Sequence, residues 1–307
     1  MKGIVTKSMG LWYEVESYQG EQFNCRLKGK FKLDNKKISN PVAVGDIVEM
    51  IDDEGDESAK IISKILPRDN YMIRVSPKKK GHGHIIAANI DQAIVMATVA
   101  EPRTSLGFID RFLVTAEAFR IPSIILCNKM DLLRADQQSQ LKEKMKEYTS
   151  IGYEVIFMSA MDPKDVKKLE TELTHKTSLI SGHSGVGKST LINNLVPDAN
   201  QTTSEISDFV GKGVHTTTFA QRFTVKSSTY IIDTPGIKEL GLAEIEPNEL
   251  SHYFPELREL LGECKFNNCT HTHEPGCAIA TAYEAGHISQ TRFDSYLSML
   301  MGDDNRR

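Results

Sequence analysis

Short apolar runs alternate with longer stretches of helical period through the middle of the chain. Ile90–Val99 reads as a buried strand, and Phe108–Phe119 as a helix with Ile109, Phe112, Leu113, Ala116 and Phe119 on one face. Ser123–Cys127 is the next strand-like run, followed by a charged helix over about 132–149, a strand near 154–158 and a helix over about 163–175. Thr177–Ser181 and Thr190–Val196 repeat the alternation, and strands near 219–226 and 229–233 end it. Strands that alternate with helices predict an α/β domain with a mostly parallel sheet covered on both faces. About 170 residues are involved, the size of one domain.

The N-terminal pattern is different. Gly3–Thr6, Trp12–Ser17, Phe23–Leu27, Val44–Met50 and Ile61–Leu66 are short runs set apart by glycines and polar residues. Five such strands within residues 1–67 predict a small β-barrel of the oligonucleotide-binding type. Its charge is polarised: Arg26, Lys28, Lys30, Lys32, Lys36 and Lys37 cluster against Asp34 alone, while Asp46–Glu57 holds seven acids and no base. The basic cluster suits a nucleic-acid backbone, with Trp12, Tyr13, Tyr18 or Phe23 available to stack on bases. A soluble barrel with charged loops is the plainer reading. Residues 68–89 read as a mobile linker, since Lys78–Lys80 and the Gly-His repeats after them have little to bury. Two histidines there are too few for a metal site.

The composition of the 307 residues, with 40% hydrophobic and a net charge of −4, fits two or three packed domains and argues against indiscriminate nucleic-acid binding. There is no N-terminal signal, no apolar run near 18 residues and no disulfide framework, so a soluble, cytoplasmic protein off the membrane is expected.

Chemistry concentrates where predicted strands end. Gly182-His183-Ser184-Gly185-Val186-Gly187-Lys188-Ser189-Thr190 fits G-x-x-x-x-G-K-[ST] between a strand and a helix. Its glycines let successive N–H groups point at anionic oxygens, helped by the helix N-terminus. Lys188 brings charge to the outer phosphates, and the Ser189 hydroxyl suits Mg²⁺. Asn128-Lys129-Met130-Asp131 follows another strand; the Asp131 carboxylate can accept two N–H bonds from a guanine edge, Asn128 can brace the loop, and Lys129 can lie along the base. Ser159 and Ala160, at a third strand end, are a weaker signal for base contact. Asp233-Thr234-Pro235-Gly236 ends a fourth strand: Asp233 would hold Mg²⁺ through water, and the Gly236 N–H would meet the terminal phosphate. Asn200–Thr218 is a polar loop that nucleotide could order. It offers Mg²⁺ a second hydroxyl from Thr216–Thr218, with Thr217 favoured. Ile237 stands where Ras-like enzymes place the glutamine that orients water. His215 is the substitute in cis, its alternative reading being an exposed loop histidine.

The order is inverted. The guanine-selecting segment precedes the phosphate loop by 54 residues, which implies a circularly permuted GTPase with both ends free for other domains. Near the C-terminus, Cys264, Cys269, His271 and Cys277 lie within 14 residues, a Cys₃His set for one structural Zn²⁺ ion, with His273 able to replace His271. Leu250–Leu261 and Ala278–Met301 read as helices around it. Cys127 reads as core, and Cys25 has no evident partner.

Barrel, permuted GTPase and Cys₃His module together resemble the RsgA family (also called YjeQ or YloQ) of bacterial ribosome-biogenesis GTPases, over nearly the whole chain. The resemblance rests on Asn128–Asp131, Gly182–Thr190, Gly211–Thr218, Asp233–Gly236 and the zinc ligands. It implies domains at 1–67, 68–240 and 241–307: an rRNA-binding barrel, the GTPase and a helical zinc module. It further implies a monomer that binds the small ribosomal subunit late in maturation, is activated there, and hydrolyses GTP to GDP with Mg²⁺. It supports His271 over His273 as ligand and His215 in the switch loop, with Lys188 and Thr217 as its catalytic companions. Val214 departs from the polar or basic residue common in relatives.

Overall fold

A computed structural model describes residues 1–28, 38, 40–75, 83–199, 220–234, 242 and 245–302. Five strands come first: β1 (Lys2–Ser8), β2 (Trp12–Ser17), β3 (Gln22–Leu27), β4 (Ile47–Asp52) and β5 (Ala59–Ile65). Period-two alternation sends Tyr13, Val15 and Ser17 of β2 inward and leaves Trp12 outside. β1 pairs with both β2 and β4, β2 with β3, β3 with β5 and β5 with β4, so the ring closes. Val5, Val15, Val48, Met50 and Ile62 fill it. Cys25 is buried there, its thiol 3.4 Å from the Met50 sulfur.

The stretch read as a linker contains a hairpin, β6 (Tyr71–Val75) with β7 (Gly83–Ala88). The intervening run of lysines and glycines dominated its composition, but Ile73 and Ile85 on its flanks pack with Ala43. Gly45, at φ +91°, passes so close to the Ala88 carbonyl that a Cβ would overlap it.

The chain then alternates as expected: β8 (Gln92–Ala97), α1 (Leu106–Ala118), β9 (Ser123–Cys127), α2 (Ala135–Ser150), β10 (Glu154–Phe157), α3 (Pro163–Glu172), β11 (Thr177–Gly182), α4 (Lys188–Leu195), β12 (Gln221–Lys226) and β13 (Thr229–Asp233). Spatial order is β10-β9-β8-β11-β13-β12, parallel throughout except for β12. Neighbouring residues face opposite ways: Val95 and Ile125 meet α1 and α2, while Ile94 and Ile124 meet α3 and α4. Each fully buried side chain of this size contributes roughly 2 kcal/mol by transfer from water. β12 also pairs with β1 through Lys7 and Gln221, so one sheet of eleven strands runs from the nucleotide-type domain into the barrel.

The last segment departs from its expected helices. Leu250–Leu261 is divided into a 3₁₀ turn, Pro247–Tyr253, and the short α5 (Pro255–Arg258). Pro255 lacks the N–H that would continue the turn and starts a new helix instead. Ala278–Met301 is likewise two helices, α6 (Ala278–Glu284) and α7 (Gln290–Met301), parted by Gly286 at φ +77° and restarted by the Ser289 cap on the Arg292 N–H. Phe254, Leu257, Ile279, Phe293 and Tyr296 form their core.

Candidate nucleotide site and metal cluster

The C-terminal ends of β9, β10, β11 and β13 converge, the end of an open parallel sheet where ligands bind. β11 runs out at Gly182, where a Cβ would stand 2.9 Å from the Met96 carbonyl oxygen. Gly185 and Gly187 hold φ of +86° and +93°, and Gly187 caps α4. Ser184 and Gly185 are exposed, Val186 is buried, and Ser189 and Thr190 are half-buried on the first turn of α4. His183 packs its ring on Phe108 with centroids 3.9 Å apart. Ser184 and Gly185 thus lie open just before the N-terminus of α4, an end of a helix that favours anions.

Asn128 ties three segments together. Its side-chain nitrogen donates to the Val186 carbonyl at 2.8 Å, and its oxygen accepts from the Ala160 N–H at 2.8 Å. It is 2% exposed, and a Cβ on Gly187 would overlap its nitrogen. Lys129, at φ +64°, donates to the Glu101 carbonyl at 2.6 Å, and Asp131 lies exposed in a 3₁₀ turn. The Ser159 N–H is held by the Asp165 carboxylate at 2.9 Å, and Asn194 donates to the Ala160 carbonyl at 2.7 Å.

Lys188, 8% exposed, donates to the fully buried Asp233 and to the Thr234 carbonyl at 2.9 Å. Cation and carboxylate thus satisfy each other in a place where neither meets much water. His215, Thr217 and Gly236, with Thr216, Thr218 and Ile237, lie outside the described residues.

At the C-terminal module the Cys264, Cys269, His271 and Cys277 ligand atoms all fall within 4.8 Å of one another. His271 Nδ1 is 3.6 Å from the Cys264 sulfur and 3.5 Å from that of Cys277, and the two sulfurs are 3.9 Å apart. Bonds of about 2.3 Å to sulfur and about 2.0 Å to nitrogen give tetrahedral edges of about 3.8 and 3.5 Å. The donor set and its spacing fit a four-coordinate ion. Burial lowers the His271 pKa, favouring the neutral imidazole that a metal needs. His273 is exposed and bonded to the Thr272 hydroxyl at 2.7 Å, outside the group. Glu274 folds the loop by accepting N–H bonds from Thr270, Thr272 and His273; burial acts to raise its pKa, and the Thr270 hydroxyl together with the backbone N–H bonds of Thr270 and His273 outweighs it and holds it low.

On the barrel, Trp12 and Tyr18 are exposed, whereas Tyr13 is core because it falls on the inward phase of β2. Phe23 lies half-buried under the Lys60 ammonium, and Arg26 is paired with Asp53 at 2.5 Å. Lys28 is exposed; Lys30, Lys32, Asp34, Lys36 and Lys37 lie outside the described residues.

Residues 65–243 match the RsgA GTPase family, and residues 2–59 match the RsgA N-terminal domain. The chain belongs to the RsgA GTPase family. It is 48% identical to the small ribosomal subunit biogenesis GTPase RsgA of Bacteroides fragilis, covering 98% of this chain and 96% of that one. Identity to the RsgA of Cytophaga hutchinsonii is also 48%, over 100% of both chains. Among solved structures, YjeQ from Thermotoga maritima is 34% identical with a TM-score of 0.75, covering 100% of this chain and 99% of its own. YloQ, described as a circularly permuted GTPase, is 29% identical with a TM-score of 0.71 over 100% and 96%. This RsgA-family chain is thus a permuted GTPase fold with a five-stranded barrel before it and a Cys₃His cluster after it. Among the described residues, no helix is long and apolar enough to cross a membrane.

Asp165, Asn194 and the loop around Glu101 escaped the sequence reading. Each acts by braces to backbone, which leave no fixed spacing to find.

Proposed function

We propose that this chain hydrolyses GTP to GDP and phosphate as a checkpoint in late maturation of the small ribosomal subunit, and that the subunit raises its turnover. The observation that carries this reading is the Asn128 side chain, bonded at once to the phosphate-type loop at Val186 and to Ala160. It makes the guanine-selecting and phosphate-holding segments one rigid unit. The small-subunit role is supported by the relatives' names.

Asp131 accepts the guanine N–H pair, Lys129 flanks the base, and Ser159 and Ala160 border it. The N–H groups of Gly182 through Thr190 (His183, Ser184, Gly185, Val186, Gly187, Lys188 and Ser189 between them) cradle the phosphates. Lys188 exchanges Asp233 for phosphate oxygens when nucleotide arrives. Ser189, Thr217 and Asp233 would hold Mg²⁺, which supplies charge neutralisation on the phosphates. The Gly236 N–H meets the terminal phosphate, and His215 aligns the water that Ile237 cannot hold. Cys264, Cys269, His271 and Cys277 would hold one structural Zn²⁺. The division is 1–67 for RNA contact by the barrel, 68–240 for GTP and 241–307 for the zinc module, in a cytoplasmic monomer that works on rRNA away from membranes.

The test is GTP turnover by the purified protein, alone and with small subunits, with ATP as control. Slow turnover that rises about 10³-fold or more, for GTP only, is expected from an external activator of this kind. Unchanged turnover with intact nucleotide binding would sink the ribosomal half of the reading.

A further inference from the structure

On the face of the sheet covered by α1 and α2 there is a cavity of about 550 Å³, in the size range of small-molecule sites. No motif accounts for it. Ile109, Leu141 and Met145, all nearly buried, give it an apolar floor. Arg103 and Lys144 line it, both exposed and neither in an ion pair among the described residues. No carboxylate lines it, and the first turn of α1, which opens on it, carries no acid. The lining is therefore one-signed and positive around an apolar floor.

Its wall is shared with the nucleotide site. The loop from Thr98 to Ser105 is drawn tight, the Thr104 N–H reaching the Thr98 carbonyl at 2.8 Å and the Thr104 hydroxyl accepting the Thr98 N–H at 3.0 Å. One side of this loop supplies Arg103 and Thr104 to the cavity. The other side places Pro102 where a Cβ on Gly185 would be 3.2 Å away, and gives the Glu101 carbonyl to Lys129. Anything that moves this loop moves the contacts of Gly185 and Lys129.

We propose that the cavity is an effector site for a small amphipathic anion, its acidic head at Arg103 and Lys144 and its apolar body over Ile109, Leu141 and Met145. Occupancy changes nucleotide affinity through the Thr98–Ser105 loop. This second half rests on the nucleotide site proposed above. By linkage, nucleotide changes affinity for the anion by the same factor.

The probe is 1-anilinonaphthalene-8-sulfonate, an anionic aromatic of suitable size, titrated by fluorescence into the full-length protein. One saturable site is expected. R103E/K144E, which leaves the core intact, weakens it at least tenfold, and L141W fills the cavity and abolishes it. The neutral N-phenyl-1-naphthylamine binds at least tenfold more weakly than the sulfonate. Saturating sulfonate shifts the affinity for fluorescent GDP at least threefold in the parent and not in L141W. Equal binding of the sulfonate by parent and R103E/K144E, or equal binding of the neutral analogue, overturns the site. A GDP affinity indifferent to the probe overturns the coupling. GDP binding measured without probe reads the nucleotide site itself, so its failure is distinguishable from failure of the cavity.

Discussion

Arg292 on α7 donates to Asp110 on α1 at 2.7 Å, joining the C-terminal module to the nucleotide-type domain across 182 positions of chain. Asp110 is fully buried and also accepts from Tyr148 and Ser295, while Arg292 forks onto Glu256. Removing the cation leaves a buried carboxylate without its counter-charge. Arg292→Ala is expected to lower unfolding free energy by about 3–5 kcal/mol, read by urea denaturation. A loss under 1 kcal/mol would mean that the charges are not coupled as drawn.

Asn128→Ala removes both bonds that hold the loops together and leaves a buried carbonyl and N–H unsatisfied. Roughly 1–3 kcal/mol of destabilisation is expected, with GDP affinity reduced about tenfold or more. Calorimetric titration against the parent checks it; full affinity in the variant would show that the loops hold without the brace.

His215→Ala is expected to cut subunit-stimulated turnover by about 10²-fold, the scale of a lost general acid–base contact, while GTP affinity stays within about twofold. Single-turnover rates with small subunits decide it, and equal rates would remove His215 from the chemistry.

Elemental analysis separates the two histidines near the cysteines. His273→Ala should retain one zinc per chain, whereas His271→Ala should lose it and melt at lower temperature. Retention by both variants would point to a different fourth ligand.

Burial, with Arg74 nearby, pushes the His84 pKa down to about 4 from the usual 6.5. The folded chain therefore holds His84 neutral where the unfolded chain protonates it, so its contribution is present above about 6.5 and is lost as pH falls toward 4. His84→Gln should flatten the pH dependence of stability across that window. A profile identical to the parent's would refute the assignment.

Much of this was legible because the signals are local. Gly182–Lys188 and Asn128–Asp131 sit at strand ends that apolar runs mark plainly, and the cysteines sit close together in the chain. The hairpin of β6 and β7 was hidden because the lysine and glycine between its arms outweighed the Ile73 and Ile85 that pack. The Lys188–Asp233 pair was invisible for another reason: motif roles aim both at nucleotide, and only the folded site brings each to the other. Tyr13 is core and not a stacking residue: it shares the phase of Val15, opposite Glu14 and Glu16, and the pleat turns it inward.

β12 would be the outermost strand of the nucleotide-type sheet if β1 did not lie beside it. An outer strand carries a row of unpaired backbone groups, a template on which another chain can add itself. β1 takes the Lys7–Gln221 end of that row, so a version of the protein trimmed of its first domain would bare the end of β12 that the intact chain keeps paired.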